Sequence, residues 1–289
     1  AVWLDLERYE TLNQKIENRL MVLNPLISQL EQVANAGLGD VSQVTAAQRT
    51  VSMIRVTQAE VGESLERARI DFINSFGSMP TDAILSGSFI DEHYPPEITE
   101  KMVHESPAIQ AAFAAYKSSE SALASVEAKD TLNVGFESRL SRPLGDSGYD
   151  SDEAVGLVVS KTFLHDKKLE TEKDQAKLKV KSRIATLKNT YRSGERSIKN
   201  AQQTIASMQT AIALSRKNAE VTAAEIDYLR KQLVIGGSTL ATVLSAEARL
   251  YEAEAQEINF LVQKRNAELI VISALGLLGP ALNLSVQIK

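Results

Sequence analysis

The sequence predicts a mainly α protein, built of long antiparallel coiled-coil helices with one β-hairpin inserted between them. Three observations predict it. Only 5% of the 289 residues are aromatic and there is a single Trp, while Ala, Glu, Lys, Leu, Ser and Gln dominate. That composition suits long helices joined through narrow seams better than the wide core of a compact enzyme. Apolar and small residues recur at alternating spacings of three and four over tens of residues, and the period changes to two only within residues 131–163.

Residues 1–35 read as a first helix, ended by Gly37 and Gly39. From Val41 the positions Val44, Ala47, Val51, Ile54, Val61, Leu65, Ala68 and Phe72 form a coiled-coil seam, with Gln58 its one polar member. It runs to Phe76, about 54 Å at a rise of about 1.5 Å per residue. Gly77 and Pro80 stop it. Residues 78–105 hold Pro80, Pro95 and Pro96 among mixed polarity, and predict a linker with short irregular pieces, stiffened at Tyr94 and the two prolines after it. Ser106 then caps a helix that begins with Pro107 and runs to residue 130.

Leu132, Val134, Phe136, Ser138 and Leu140 lie at spacing two, as do Val155, Leu157, Val159 and Lys161 beyond the loop "SRPLGDSGYDSDE". These are two strands of a hairpin, each close to the roughly ten residues with which a tilted strand crosses a bilayer. Helical pattern resumes at Asp166 for nearly 70 residues, through Gly194, which at full helical rise is about 100 Å. Gly236 and Gly237 interrupt it, and the last helix is expected from Leu240 to Leu275.

A shift of 199 residues lays the chain on itself without a gap. Gly37 meets Gly236, Val41 meets Leu240, Val44 meets Val243, Ala47 meets Ala246, Ala68 meets Ala267, Ile73 meets Ile272 and Gly77 meets Gly276. Matching glycines at both ends of a forty-residue element indicate a duplicated helix-turn-helix. The organisation is therefore a first-repeat helical hairpin over 1–77, the linker 78–105, a second-repeat helix over 106–130, the β-hairpin 131–163, and a second-repeat helical hairpin with the C-terminal segment over 164–289. Residue 1 corresponds to residue 200, so a twin of the β-hairpin is expected upstream. The opening "AVWLDLERYETL" has no initiator Met, no signal pattern and no helix cap, and reads as a helix entered midway.

Four strands cannot close a membrane barrel, which starts at about eight, and a long amphipathic hairpin leaves its stripe wet unless neighbours cover it. Several copies are thus expected to share one barrel. The most apolar window, residues 269–282, is too short for a membrane-spanning helix and carries Gly and Pro. Any bilayer contact falls to strands.

Charge and motifs exclude most chemistry. A net charge of −5 with no basic run argues against nucleic acid, and the absence of Cys removes disulfides, thiolate metal sites and cysteine nucleophiles. "GDSG" at 145–148 is a turn-rich hairpin loop, because His93, His104 and His165 are not placed to complete a catalytic triad. The acids Asp146, Asp150, Asp152 and Glu153 lack the ordered spacing of a calcium loop. No phosphate-binding glycine loop occurs. No catalytic residue, metal or cofactor is expected. Lys167, Lys168, Lys173, Lys177, Lys179 and Lys181 give the start of the long helix a basic character, diluted by Glu170, Glu172 and Asp174 in what reads as ordinary helix pairing.

The turn "NAGLGDVSQVTAAQ", its partner "GGSTLATVLSAEARLYEAEAQ" and the ending "LIVISALGLL" resemble the TolC-type outer-membrane channel family. The resemblance implies a homotrimer sharing one strand barrel among outer-membrane lipids and one helical barrel through the periplasm, with residues 78–105 in a band around its middle. It implies the exit duct of a tripartite efflux or type I secretion system, working with a periplasmic membrane-fusion adaptor and an inner-membrane pump or ABC transporter. Gly37, Leu38, Val41, Gly236 and Gly237 would then form an adaptor-binding tip. Tunnel-mouth positions that are often acidic in the family are Thr242 and Ser245 here, with Gln43 their first-repeat counterpart, so an acidic ring is not carried over. Glu247, one turn on, is the acid that would bring charge to the mouth, and is itself expected on a solvated helix face. A periplasmic coiled-coil adaptor or scaffold is the alternative; it would carry small strand domains at its hairpin ends, not one long hairpin between helices.

Overall fold

The computed structural model describes residues 2–37, 41–80, 86–129, 133–141, 152–160 and 166–281. Elements run α1 (Val2–Asn35), α2 (Val41–Phe76), α3 (Ser86–His93), α4 (Glu100–His104), α5 (Pro107–Ala128), β1 (Asn133–Ser141), β2 (Asp152–Ser160), α6 (Asp166–Val234), α7 (Leu240–Ala274) and α8 (Leu278–Ala281). They fall into two compact units, a helical unit of residues 1–97 and 196–289 and a hairpin unit of residues 98–195.

In the helical unit α1 and α2 run antiparallel. Leu23 and Ile27 meet Ala47 and Val51 near one end, and Leu6 meets Leu65, Ala68 and Phe72 near the other. The predicted seam of α2 is the buried face, with Ala47, Val51, Ile54, Val61, Leu65, Ala68 and Phe72 all inside. α6 and α7 form the second antiparallel pair, shown by Arg216 on Glu257, Glu225 on Arg249 and Ile226 packed with Ala246 and Leu250. Leu244 of α7 enters the α1–α2 cluster and is itself fully buried. The small Ala47 and Ala246 let backbones approach, while replacing a filled position such as Leu23 or Leu244 with Ala costs about 2–5 kcal/mol.

Two features run against local propensity. Pro25 lies inside α1, where it removes a backbone donor at a cost of about 3 kcal/mol. The helix continues because Leu23 and Ile27 on either side are buried in the seam, while Pro25 and Met21 face water, which hydrates the freed carbonyl. Gly194 likewise leaves α6 unbroken.

The duplication is visible in the backbone. The positive-φ glycines among the described residues are Gly37 (64°), Gly77 (83°), Gly236 (75°) and Gly276 (74°), two pairs with the same offset, since 236 − 37 and 276 − 77 both give 199. At Gly236 the chain closes a Schellman turn, Gly237 N–H donating to the Gln232 carbonyl at 2.8 Å and Gly236 N–H to that of Leu233 at 3.3 Å. Gly276 repeats it, with Leu277 on Ile272 at 2.9 Å and Gly276 on Ser273 at 3.0 Å. A side chain at Gly236 meets no atom but is forced into the left-handed region, so Gly236→Ala is expected to lower stability by about 1–2 kcal/mol. Gly237→Ala, at an ordinary φ with only the flexible Gln232 side chain in the way, is expected to change the urea midpoint far less.

The repeats differ in surroundings. Ile73 is 43% exposed, while its counterpart Ile272 is fully buried against Leu4, Val262 and Ile90. Ile90 belongs to α3, which together with α4 replaces the irregular pieces expected over 78–105. Pro95 and Pro96 fall between these two short helices, and burial of Ile90 fixes α3 on α7.

The hairpin unit holds α4, α5, the two strands and the start of α6. Ser106 occupies the N-cap of α5 ahead of Pro107, but its side chain makes no capping bond, a correction to the cap expected there; it is buried. Glu172 of α6 pairs with Lys129 at 3.2 Å, just beyond the end of α5. β1 and β2 are antiparallel, nine residues each, with Val134 opposite Val159, Phe136 opposite Leu157 and Ser138 opposite Val155. The described members of the two predicted alternating sets thus share one face, Leu132 and Lys161 lying outside the described residues. No helix among the described residues is long and apolar enough to cross a membrane.

Candidate functional site

Both glycine turns lie at one end of the helical unit, because a single cluster joins the end of α1 (Leu23, Ile27), the start of α2 (Val44, Ala47) and the start of α7 (Leu240, Ala241, Leu244). α7 is started by Thr239, whose hydroxyl accepts from Thr242 N–H at 3.2 Å. Around this end the apolar side chains point outward. Val41 is exposed, and Val234 and Ile235 are 86% and 75% exposed, although nothing polar lies between them and the glycine pair. Sequence reasoning stopped at the glycines and missed Val234 and Ile235; the signal was two β-branched residues ending a helix just before a Schellman turn. Leu38 lies outside the described residues.

Gln43, Thr242 and Ser245 are all exposed. The Thr242 hydroxyl lies 2.9 Å from that of Thr239, so it belongs to the cap of α7 as well as to the surface.

Glu247 is not on a solvated face. It is 1% exposed, and each of its carboxylate oxygens accepts from a guanidinium, Arg19 of α1 and Arg230 of α6, both at 2.6 Å. Arg19 also reaches Glu254 at 3.0 Å, and Lys15 reaches the same acid at 3.1 Å. A chain of five charges therefore ties α1 and α6 to α7. The correction has a plain cause: in a two-helix seam this position flanks the contact, but α1 covers it as a third helix. Arg230 Nε is buried without a hydrogen-bond partner, so the network leaves one donor unmatched.

A second network sits at the other end of α7. Arg265 grips Asp91 of α3 through both guanidinium nitrogens and also Glu268 at 3.1 Å, which Lys264 shares. The hydrogen bonds from Arg265 hold the Asp91 carboxyl below its ordinary value of 3.8, outweighing the small cost of burial. A depressed carboxylate pKa stabilises the fold above the unfolded value and loses that contribution as pH falls through the folded value. Docking of α3 is thus expected to weaken below about pH 4, and Asp91→Asn is expected to flatten the acid limb of a thermal-midpoint series; an unchanged limb refutes it.

The second exposed surface is the hairpin. Phe136 and Leu157, cross-strand partners, are 73% and 75% exposed, and Leu140, Val155 and Val159 on the same face are exposed with them. The opposite face carries Gly135, Glu137, Arg139, Ala154 and Gly156, with Val158 its one large apolar member, while Glu153 lies opposite Leu140 at the loop end of the apolar face. An apolar face backed by a mainly small and polar one is the alternation of a strand between lipid and an aqueous lumen.

Neither a family model nor a curated protein matches this sequence. Solved structures do. The outer membrane protein VceC from Vibrio cholerae superposes with a TM-score of 0.73 at 16% identity, over 95% of this chain and 68% of that one. CusC, described for its transmembrane channel formation, gives 0.75 at 14% identity over 95% and 66%. The Campylobacter jejuni CmeC outer membrane channel gives 0.71 at 11% identity over 100% and 66%. The chain has the fold of outer-membrane channels. It spans about two thirds of the length of the solved structures that it matches. These channels share the fold at identities too low to carry residue roles, so the function rests on what this chain's own surfaces can do.

Among the described residues no group of His, Asp and Glu is arranged to hold a metal ion.

Proposed function

We propose that this chain is one stave of a trimeric outer-membrane channel, the exit duct of a tripartite efflux or type I secretion system. The hairpin face carries the reading: two paired strands of bilayer-spanning length present large apolar side chains with nothing packed on them. Lipid is the solvent in which that face is stable, and copies of the chain satisfy the strand edges by closing a shared barrel. The helical pairs, with apolar residues left on their outer sides at Met53, Val56, Leu214 and Val221, would line up side by side between copies as a periplasmic tube. Transport is passive, with energy supplied by an inner-membrane pump or ABC transporter. An adaptor or scaffold would use similar helices but gives no role to an apolar hairpin face.

The protein, reconstituted in planar bilayers, is expected to give discrete conductance steps and a crosslinked trimer. Silence in the bilayer with a folded protein would falsify the duct reading.

At the glycine turns, Gly37, Val41, Gly236 and Gly237 with Val234 and Ile235 would form the knob on which a periplasmic membrane-fusion adaptor docks, while Gln43, Thr242 and Ser245 line an uncharged mouth. Because the chain has no Cys, a Cys introduced at Ile235 is a unique handle. It is expected to crosslink to a helical-hairpin partner in cells, and Ile235→Asp with Val234→Asp to abolish that partner without altering conductance. Normal partner capture by the double variant would place docking elsewhere.

A further inference from the structure

The hairpin unit contains a cavity to which the duct reading gives no role. It is an open-sided groove between the α4–α5 corner and α6 with a volume of about 450 Å³, inside the range of roughly 300–1,000 Å³ usual for small-molecule sites. Its floor is apolar, made of buried Ile109, the Phe113 ring, Leu187 and the Tyr191 ring. One wall is pre-stacked: the His104 imidazole lies on the Tyr191 ring with centroids 4.8 Å apart and planes 31° apart. Phe113 is steadied by the Lys117 ammonium, 5.8 Å from its centroid, and Lys117 is tied in turn to Glu120 at 3.0 Å.

The rim is cationic. Lys188 and Arg192 stand one turn apart on α6, both exposed and both lining the cavity. Three lysines of this unit have acids: Lys101 has Glu105, Lys117 has Glu120 and Lys129 has Glu172. Among the described residues Lys188 and Arg192 have no carboxylate partner. Along the helix, residues 175–194 hold Lys177, Lys179, Lys181, Arg183, Lys188 and Arg192 and no acid, the nearest on the C-terminal side being Glu195, one turn beyond Arg192. Like charges at a four-residue spacing repel, and an anion bridging them removes the repulsion.

We propose that this cavity binds a small aromatic anion. Its ring would lie against Phe113 and the His104–Tyr191 pair, and its carboxylate or sulfonate would take the fork of Arg192 and the ammonium of Lys188. A neutral aromatic leaves the two cations unbridged, and an aromatic cation is repelled by them. A long acidic peptide is a poorer fit, because only two of the cations reach an opening sized for a small molecule.

The test is calorimetric titration of the protein in detergent with naphthalene-2-sulfonate, and with 2-naphthylmethylammonium as the matched cation. The sulfonate is expected to bind about tenfold or more tightly than the ammonium compound, the equivalent of about 1.4 kcal/mol or above. Lys188→Glu with Arg192→Glu is expected to weaken the sulfonate by about tenfold or more, and Phe113→Ala to weaken both ligands several-fold. Both sites are exposed, and an unchanged helical circular dichroism signal verifies that the variants fold. Equal affinity for the two ligands, or sulfonate binding that neither variant alters, overturns the proposal. Conductance is read separately, so loss of this site and loss of the duct are distinguishable outcomes.

Discussion

Glu247→Ala is expected to destabilise the helical unit by about 3 kcal/mol, at the lower end of the cost of breaking a buried ion pair. The acid is closed off from water, and its two oxygens are the anchors of Arg19 and Arg230. Without it Arg19 keeps Glu254, whereas Arg230 has only its partial access to solvent, which is why the lower end is expected. Glu247→Gln keeps the volume and isolates the charge. Arg19→Met with Arg230→Met and Glu247→Leu removes the polar groups together and is expected to recover most of the loss, since apolar packing replaces a desolvated network that already leaves Arg230 Nε unmatched. Glu225→Ala, which breaks the exposed pair with Arg249, is the control and is expected to move stability by no more than about 0.5 kcal/mol. Urea unfolding of all four proteins decides it. An effect at Glu247 no larger than at Glu225 would mean the network contributes nothing to holding α1 on α7.

What the sequence revealed and what it hid divide along one physical line. Patterns carried by a single helix or a single pair of strands were legible: the α2 seam, the extent of α6 and α7, and the period-two alternation of the two strands all follow from spacing along the chain. The 199-residue offset was legible because glycine is the residue that accepts positive φ cheaply, and the four such glycines among the described residues fall on it. Glu247 was misread because its burial comes from a third helix far away in sequence, and its counterpart at position 48, an exposed Gln, gives no hint. α3 was read as irregular for the same reason. Its eight residues are too few to be helical on propensity alone, and it is held by Ile90 in the α7 cluster and Asp91 on Arg265. At the glycine turns the backbone was foreseen, but the apolar knob of Val234 and Ile235 was not, because exposure is a property of packing and not of spacing.

Phe136→Arg and Leu157→Lys are expected to block assembly into the outer membrane. Each substitution sits one residue from the middle of its nine-residue strand, on the apolar face, and the two positions are direct cross-strand partners. A basic residue facing lipid near the bilayer midplane costs about 2–4 kcal/mol per copy, and a shared trimeric barrel would incur it three times over. That total exceeds what most assemblies can lose, so the variants should stay out of the membrane fraction and give no trimer on crosslinking. Glu137→Lys, on the other face and level with Gly156, meets no lipid in this arrangement. It should assemble normally and change only the ion preference of the conductance, because lumen charges tune selectivity and not insertion. The pair of outcomes is sharper than either alone. A channel whose lipid face was the Glu137 side would reverse them, and a hairpin packed against protein on its apolar face would let Phe136→Arg destabilise the fold in detergent as much as in the membrane.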